Sequence, residues 1–102
     1  MIELMKNGDT LTCRFRTDRL EREVAEQARA RLSDLIDRGE RRIELDLTGI
    51  SFIDSAGLYL GANLQKRLGE AGSVRLSGLS PTLRWMFALT QLDKVLEIRA
   101  AA

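Results

Sequence analysis

Ile43-Glu44-Leu45-Asp46-Leu47, followed by Thr48-Gly49-Ile50-Ser51-Phe52-Ile53-Asp54-Ser55-Ala56-Gly57-Leu58, is the stretch that decides the fold. Ile43, Leu45 and Leu47 point to one side of a strand spanning Arg42 to Leu47, while Glu44 and Asp46 point to the other. One face of that strand is therefore expected to be wet or to lie near a sheet edge. From Ser55 to about Leu68 the spacing predicts a helix, with Leu60, Leu64 and Leu68 as its buried stripe and Gly69 and Gly72 ending it. A strand whose connecting loop feeds a helix is the repeating unit of parallel α/β sheets.

The flanking sequence extends the pattern. Ile2 and Leu4 alternate with Glu3, and Leu11, Cys13 and Phe15 alternate with Thr12 and Arg14, on either side of Asn7-Gly8-Asp9. That is the signature of a β-hairpin. Thr17 and Asp18 are candidate N-caps for a helix running to Arg38, whose apolar face is Leu20, Val24, Ala28, Leu32, Leu35 and Ile36, with Gly39 at its end. Its many charges read as a solvated outer face. Val74 to Leu76 is a short strand. Ser80-Pro81 opens a helix with Leu83, Met86, Phe87 and Thr90 on one face. Val95, Leu96 and Ile98 predict a last strand before the small-residue tail Ala100-Ala101-Ala102. The order is β-β-α-β-α-β-α-β: an α/β fold with a mixed, mostly parallel β-sheet and helices packed on it, in one domain over residues 1–102.

Composition narrows the function. Sixteen basic and fifteen acidic residues leave a net charge of +1, so no global field draws in nucleic acid or an anionic membrane. The chain has no histidine, which removes Ser-His and Cys-His nucleophile pairs and ordinary zinc sites. Cys13 is alone, so no internal disulfide forms. Met1 to Thr10 has neither a basic head nor an apolar stretch, and no apolar run approaches the ~20 residues that span a bilayer. The expectation is a cytoplasmic protein with no membrane insertion, no metal and no cofactor, and not an enzyme.

Asp54-Ser55-Ala56-Gly57 lies where a strand hands over to a helix, the usual place for sites in open α/β sheets. A bare Asp-Ser pair there is most often an N-cap. A hydrolase elbow would need glycine two residues before the serine, where Ile53 stands, and a histidine as well. Phosphate-binding glycine loops are absent. What remains is a serine placed for modification: a phosphoryl group on Ser55 would add about −1.5 to −2 charge at pH 7, tolerated by the helix N-terminus but felt by anything docked on it.

Ile50 to Leu58 resembles the signature of STAS domains, in particular the bacterial anti-sigma factor antagonists, in which an apolar residue is followed by Asp, Ser, a small hydroxyl residue, Gly and another apolar residue. Ile43 to Leu47 is similar to that family's third strand, and Ser80-Pro81 with Leu83, Arg84, Met86, Phe87, Thr90 and Leu92 to its third helix. The resemblance implies the STAS fold and a partner-switching role. Unphosphorylated, the chain would bind an anti-sigma factor that is also a serine kinase and so release a sigma factor. Phosphorylation of Ser55 would end the contact, and a serine phosphatase would restore it. Asp54 matches the acid before the phosphoserine, and Asp18 stands close to an acid used in partner recognition.

The docking surface expected from this comprises Asp54, Ser55, Ala56, Gly57, Leu58, Tyr59, Ala62 and Asn63, with Asp18 beside it. Trp85 and Leu89 share a second face four residues apart, either packed on a neighbouring helix or exposed as a contact patch. The alternative function is a constitutive STAS scaffold subunit of a membrane transport complex of the lipid-transport type, or of a sensory complex. A sensor binding an anion at the helix N-terminus is a third reading, against which Asp54 itself argues. Self-association is left open.

Overall fold

A computed structural model describes residues 1–99; the tail Ala100 to Ala102 lies outside the described residues. The hairpin forms as β1 (Ile2–Asn7) and β2 (Thr10–Phe15), antiparallel with Asn7 opposite Thr10. Gly8 takes a φ of 63° at the first position of the two-residue turn, a conformation that glycine adopts without a Cβ penalty. After β3 (Arg19–Leu20) come α1 (Arg22–Asp37), β4 (Arg42–Asp46), β5 (Phe52–Ile53) and α2 (Ser55–Leu68). The chain continues through β6 (Ser73–Ser77) and α3 (Pro81–Leu89) to β7 (Glu97–Ile98).

The main sheet has the order β1-β2-β4-β6-β7, parallel except at the opening hairpin. Stripping out the two short strands β3 and β5 recovers the expected order of strands and helices. One face of the sheet is Leu11, Cys13 and Phe15 from β2, Ile43 and Leu45 from β4, and Val74 and Leu76 from β6. Val24, Ala28, Leu32 and Ile36 of α1, Leu60, Leu64 and Leu68 of α2, and Leu83 and Phe87 of α3 pack into the same core. Burial there pushes the Cys13 thiol up to about 12, so it is an inert core residue rather than a nucleophile.

Four local expectations are corrected. Helix α1 begins at Arg22 with Glu21 in the cap position, and Thr17 does not cap it; the Thr17 hydroxyl accepts the Arg19 N–H at 3.2 Å instead. Residues 19 and 20 are held extended by pairing with β5, and this delays the helix. Leu20 is buried, but from a strand. Strand β4 lies at the centre of the sheet and not at an edge: Glu44 and Asp46 are only 7% and 9% exposed. Arg75 and Ser77 donate to Glu44, while Arg14 and Thr48 donate to Asp46, so each buried carboxylate is paired. At the end of the chain, a 3-10 turn over Leu92–Lys94 takes up residues expected near the last strand, and Val95 is exposed.

Candidate functional site

Ser55 is the first residue of α2 and is exposed. Asp54 precedes it with φ −97° and ψ −176°, extended as an N-cap must be. Its two carboxylate oxygens serve different helices. Oδ1 accepts the Gly57 N–H of α2 at 2.9 Å, and Oδ2 accepts the Arg22 N–H of α1, also at 2.9 Å. The Gly57 N–H above all, then the Arg22 and Ala56 N–H groups, outweigh a small burial penalty and hold the Asp54 carboxyl below its ordinary range. One carboxylate thus ties two helix N-termini together.

The segments ahead of those helices are joined as well. β3 and β5 form a parallel pair, Arg19 beside Phe52 and Leu20 beside Ile53. The Asp18 carbonyl accepts the N–H groups of Ser51 and Phe52 at 2.8 and 3.1 Å, and Leu20 accepts from Asp54 at 3.4 Å. Asp18 therefore reaches the strand that leads into Ser55, although it stands thirty-six positions before Asp54 in the chain. Gly57 completes the junction. A Cβ there would fall 2.2 Å from the Leu20 carbonyl oxygen and 2.8 Å from Ile53 Cγ1, so only glycine allows the first turn of α2 this close to β3.

The expected surface divides on this geometry. Ser55, Tyr59, Asn63 and Asp18 are exposed; Asp54, Ala56 and Ala62 are half-buried. Gly57 and Leu58 are buried, and their placement on the docking surface is corrected: both face inward, where Gly57 meets Leu20 and Leu58 joins the core. Ala56 and Asn63 line a groove of about 120 Å³ between α1 and α2, with Ala25, Glu26, Arg29 and Leu60. Two residues join the site that sequence reading passed over. Phe52 is 42% exposed, as Tyr59 is at 44%, and the Arg19 guanidinium lies 4.1 Å from the Phe52 ring centroid. Arg22 enters through its bond to Asp54. The apolar run Ile50-Ser51-Phe52-Ile53 was the available signal for Phe52, since alternation leaves one of its members facing outward. Trp85 and Leu89 are exposed on α3, at 63% and 61%.

Chemically, the arrangement presents a hydroxyl without activating it. Asp54 is the adjacent acid, but its oxygens are committed to backbone N–H groups, and its lowered proton affinity makes it a poor general base. No group of three or more metal-ligating side chains occurs among the described residues. No helix among them is long and apolar enough to cross a membrane.

A parallel sheet opened by an antiparallel hairpin, with a serine displayed at the start of the second helix, defines the STAS class of domain. The chain belongs to the STAS family: residues 17–98 match the family model described as "Mlab, STAS domain". Among curated proteins it is similar to the putative anti-sigma factor antagonist BtrV of Bordetella bronchiseptica, with 39% identity over 67 residues. That match takes in 65% of this chain and 58% of BtrV. Among solved structures it is similar to the anti-sigma factor antagonist SpoIIAA in its unphosphorylated form, with 28% identity and a TM-score of 0.79 over 100% of this chain and 90% of that one. Against the phosphorylated form of the same Bacillus cell-fate determinant the identity is 28% and the TM-score 0.77, over 98% of this chain and 92% of the other.

Proposed function

We propose that this chain is a phosphorylatable anti-sigma factor antagonist that acts by partner switching. Its unphosphorylated form binds an anti-sigma factor with serine kinase activity, and the bound sigma factor is released. Transfer of a phosphoryl group to Ser55 ends the contact, and a serine phosphatase reverses it. The chain is substrate and ligand in this cycle rather than catalyst, and it works in the cytoplasm.

The observation that carries the reading is the exposed Ser55, the only hydroxyl residue in the first turn of α2, set on a junction that Asp54 ties together through two hydrogen bonds. Phe52, three residues before Ser55, and Tyr59, one helical turn after it, add exposed aromatic surface of the kind that anchors contacts. The likeness to SpoIIAA in both phosphorylation states supports a fold that bears a phosphoryl group without being rebuilt. Two negative charges added to a desolvated contact cost several kcal/mol through repulsion and desolvation, on the order of a thousandfold in affinity.

The test is incubation with the cognate kinase and ATP, with the labelled peptide mapped by mass spectrometry. Label is expected on Ser55 and absent in Ser55→Ala. Unchanged partner binding by Ser55→Asp would instead favour the constitutive scaffold.

A further inference from the structure

We infer that the Arg22 guanidinium is the intramolecular ligand of the phosphoryl group on Ser55. The inference rests on the reading of Ser55 as phosphoacceptor and goes beyond it by naming the cation that holds the modified state. Arg22 opens α1, and its N–H bond to Asp54 fixes its backbone beside the residue that precedes Ser55. A dianionic phosphoryl group on Ser55 would stand one residue along the chain from the Asp54 carboxylate, whose two oxygens are held by the Arg22 and Gly57 N–H groups. A neighbouring cation would add to the helix N-terminus in offsetting that repulsion.

The cations at this end of the molecule are not equivalent. Arg19 is occupied: it donates to Glu21 at 2.6 Å and covers the Phe52 ring. Arg22 is exposed and takes part in none of the ion pairs among the described residues. Its charge already helps to hold the Asp54 carboxyl low, so it is felt at the residue next to the hydroxyl. A guanidinium also presents a planar fork of donors that matches phosphate oxygens in pairs. The anchor is its main-chain N–H, which leaves the side chain free to swing onto the phosphate.

The experiment uses the full chain with phosphoserine installed at position 55 during translation, so that no kinase is required. Phosphorus NMR then follows its second ionisation, about 6 in an unconstrained phosphoserine. Relative to the otherwise unaltered chain, Arg22→Gln is expected to raise that pKa by about 0.5 or more, and Arg22→Lys and Arg29→Gln, the latter in the groove beside Ala56, each by less. Asp18, Arg19, Glu21 and Asp54 are common to all four proteins, so the difference isolates the guanidinium. Arg22→Gln keeps the main-chain donor to Asp54, and a proton–nitrogen correlation spectrum checks that it is folded. Equal values with and without Arg22, or an equal rise in Arg29→Gln, would overturn the inference. Failure of a kinase to label Ser55 is a separate result, which would count against the proposed function alone.

Discussion

Asp54 accepts the main-chain N–H of Arg22 at 2.9 Å, and so caps a helix to which it does not belong. With its other oxygen on Gly57, the acid of the signature is a joint between α1 and α2 before it is a surface charge. Asp54 and Gly57 are explained by this joint. Ser55 is not, and stands free for another role.

Removing the joint should cost stability. Asp54→Ala is expected to destabilise the fold by about 1–2 kcal/mol, the upper range for an N-cap, because two helices lose an acceptor. Asp54→Asn should recover less than half of that, since its amide offers one acceptor oxygen where two are used. Urea unfolding of the three proteins measures the difference. An Asn variant as stable as the parent would refute the double cap.

Gly57→Ala provides a test with the opposite sign from the usual helix rule. Alanine in place of glycine inside a helix ordinarily stabilises by up to ~1 kcal/mol. Here its Cβ would sit 2.2 Å from the Leu20 carbonyl, which belongs to a paired strand. We expect a loss of about 2 kcal/mol or more on thermal or urea unfolding, in the range of overpacking. At Gly61 the nearest atom is a Leu96 methyl at 2.9 Å, a side-chain end that can shift, so Gly61→Ala should be milder.

The hairpin strands, β4 and the three helices were legible because each carries a clear period in its apolar residues. Leu11-Cys13-Phe15 alternates, and Leu60-Leu64-Leu68 repeats by turns. The strands β3 and β5 were not legible: two residues carry no period, and the partner lies thirty-three positions away. That omission explains the misplaced cap at Thr17 and the absence of Phe52 and Arg22 from the expected site. Glu44 and Asp46 misled for another reason. Polar alternation normally signals a wet strand, but here arginines from neighbouring strands lie over the carboxylates. Burial of Gly57 follows from a contact with Leu20 that no local pattern announces.

Those carboxylates should govern the acid limb of stability. Burial pushes Glu44 up, but the Ser77 hydroxyl and the Arg75 guanidinium outweigh it and hold its carboxyl below the usual range. Burial likewise raises Asp46, and Thr48 and Arg14 more than reverse it. A carboxyl lowered in the folded state contributes stability above its unfolded pKa, near 4, and loses it as pH falls through the folded value. Unfolding free energy should therefore decline below about pH 4. In Glu44→Gln the stability near neutral pH should be lower and the decline shallower. An identical slope in parent and variant would show that the pairing on this face contributes nothing.

On the proposed function, the charge on the Ser55 oxygen decides whether another protein can occupy the surface around it. Titration calorimetry of the purified protein that the unphosphorylated chain captures, against the chain with serine or installed phosphoserine at 55, measures this. Phosphoserine is expected to weaken binding a hundredfold or more. Equal dissociation constants for the two forms would contradict it.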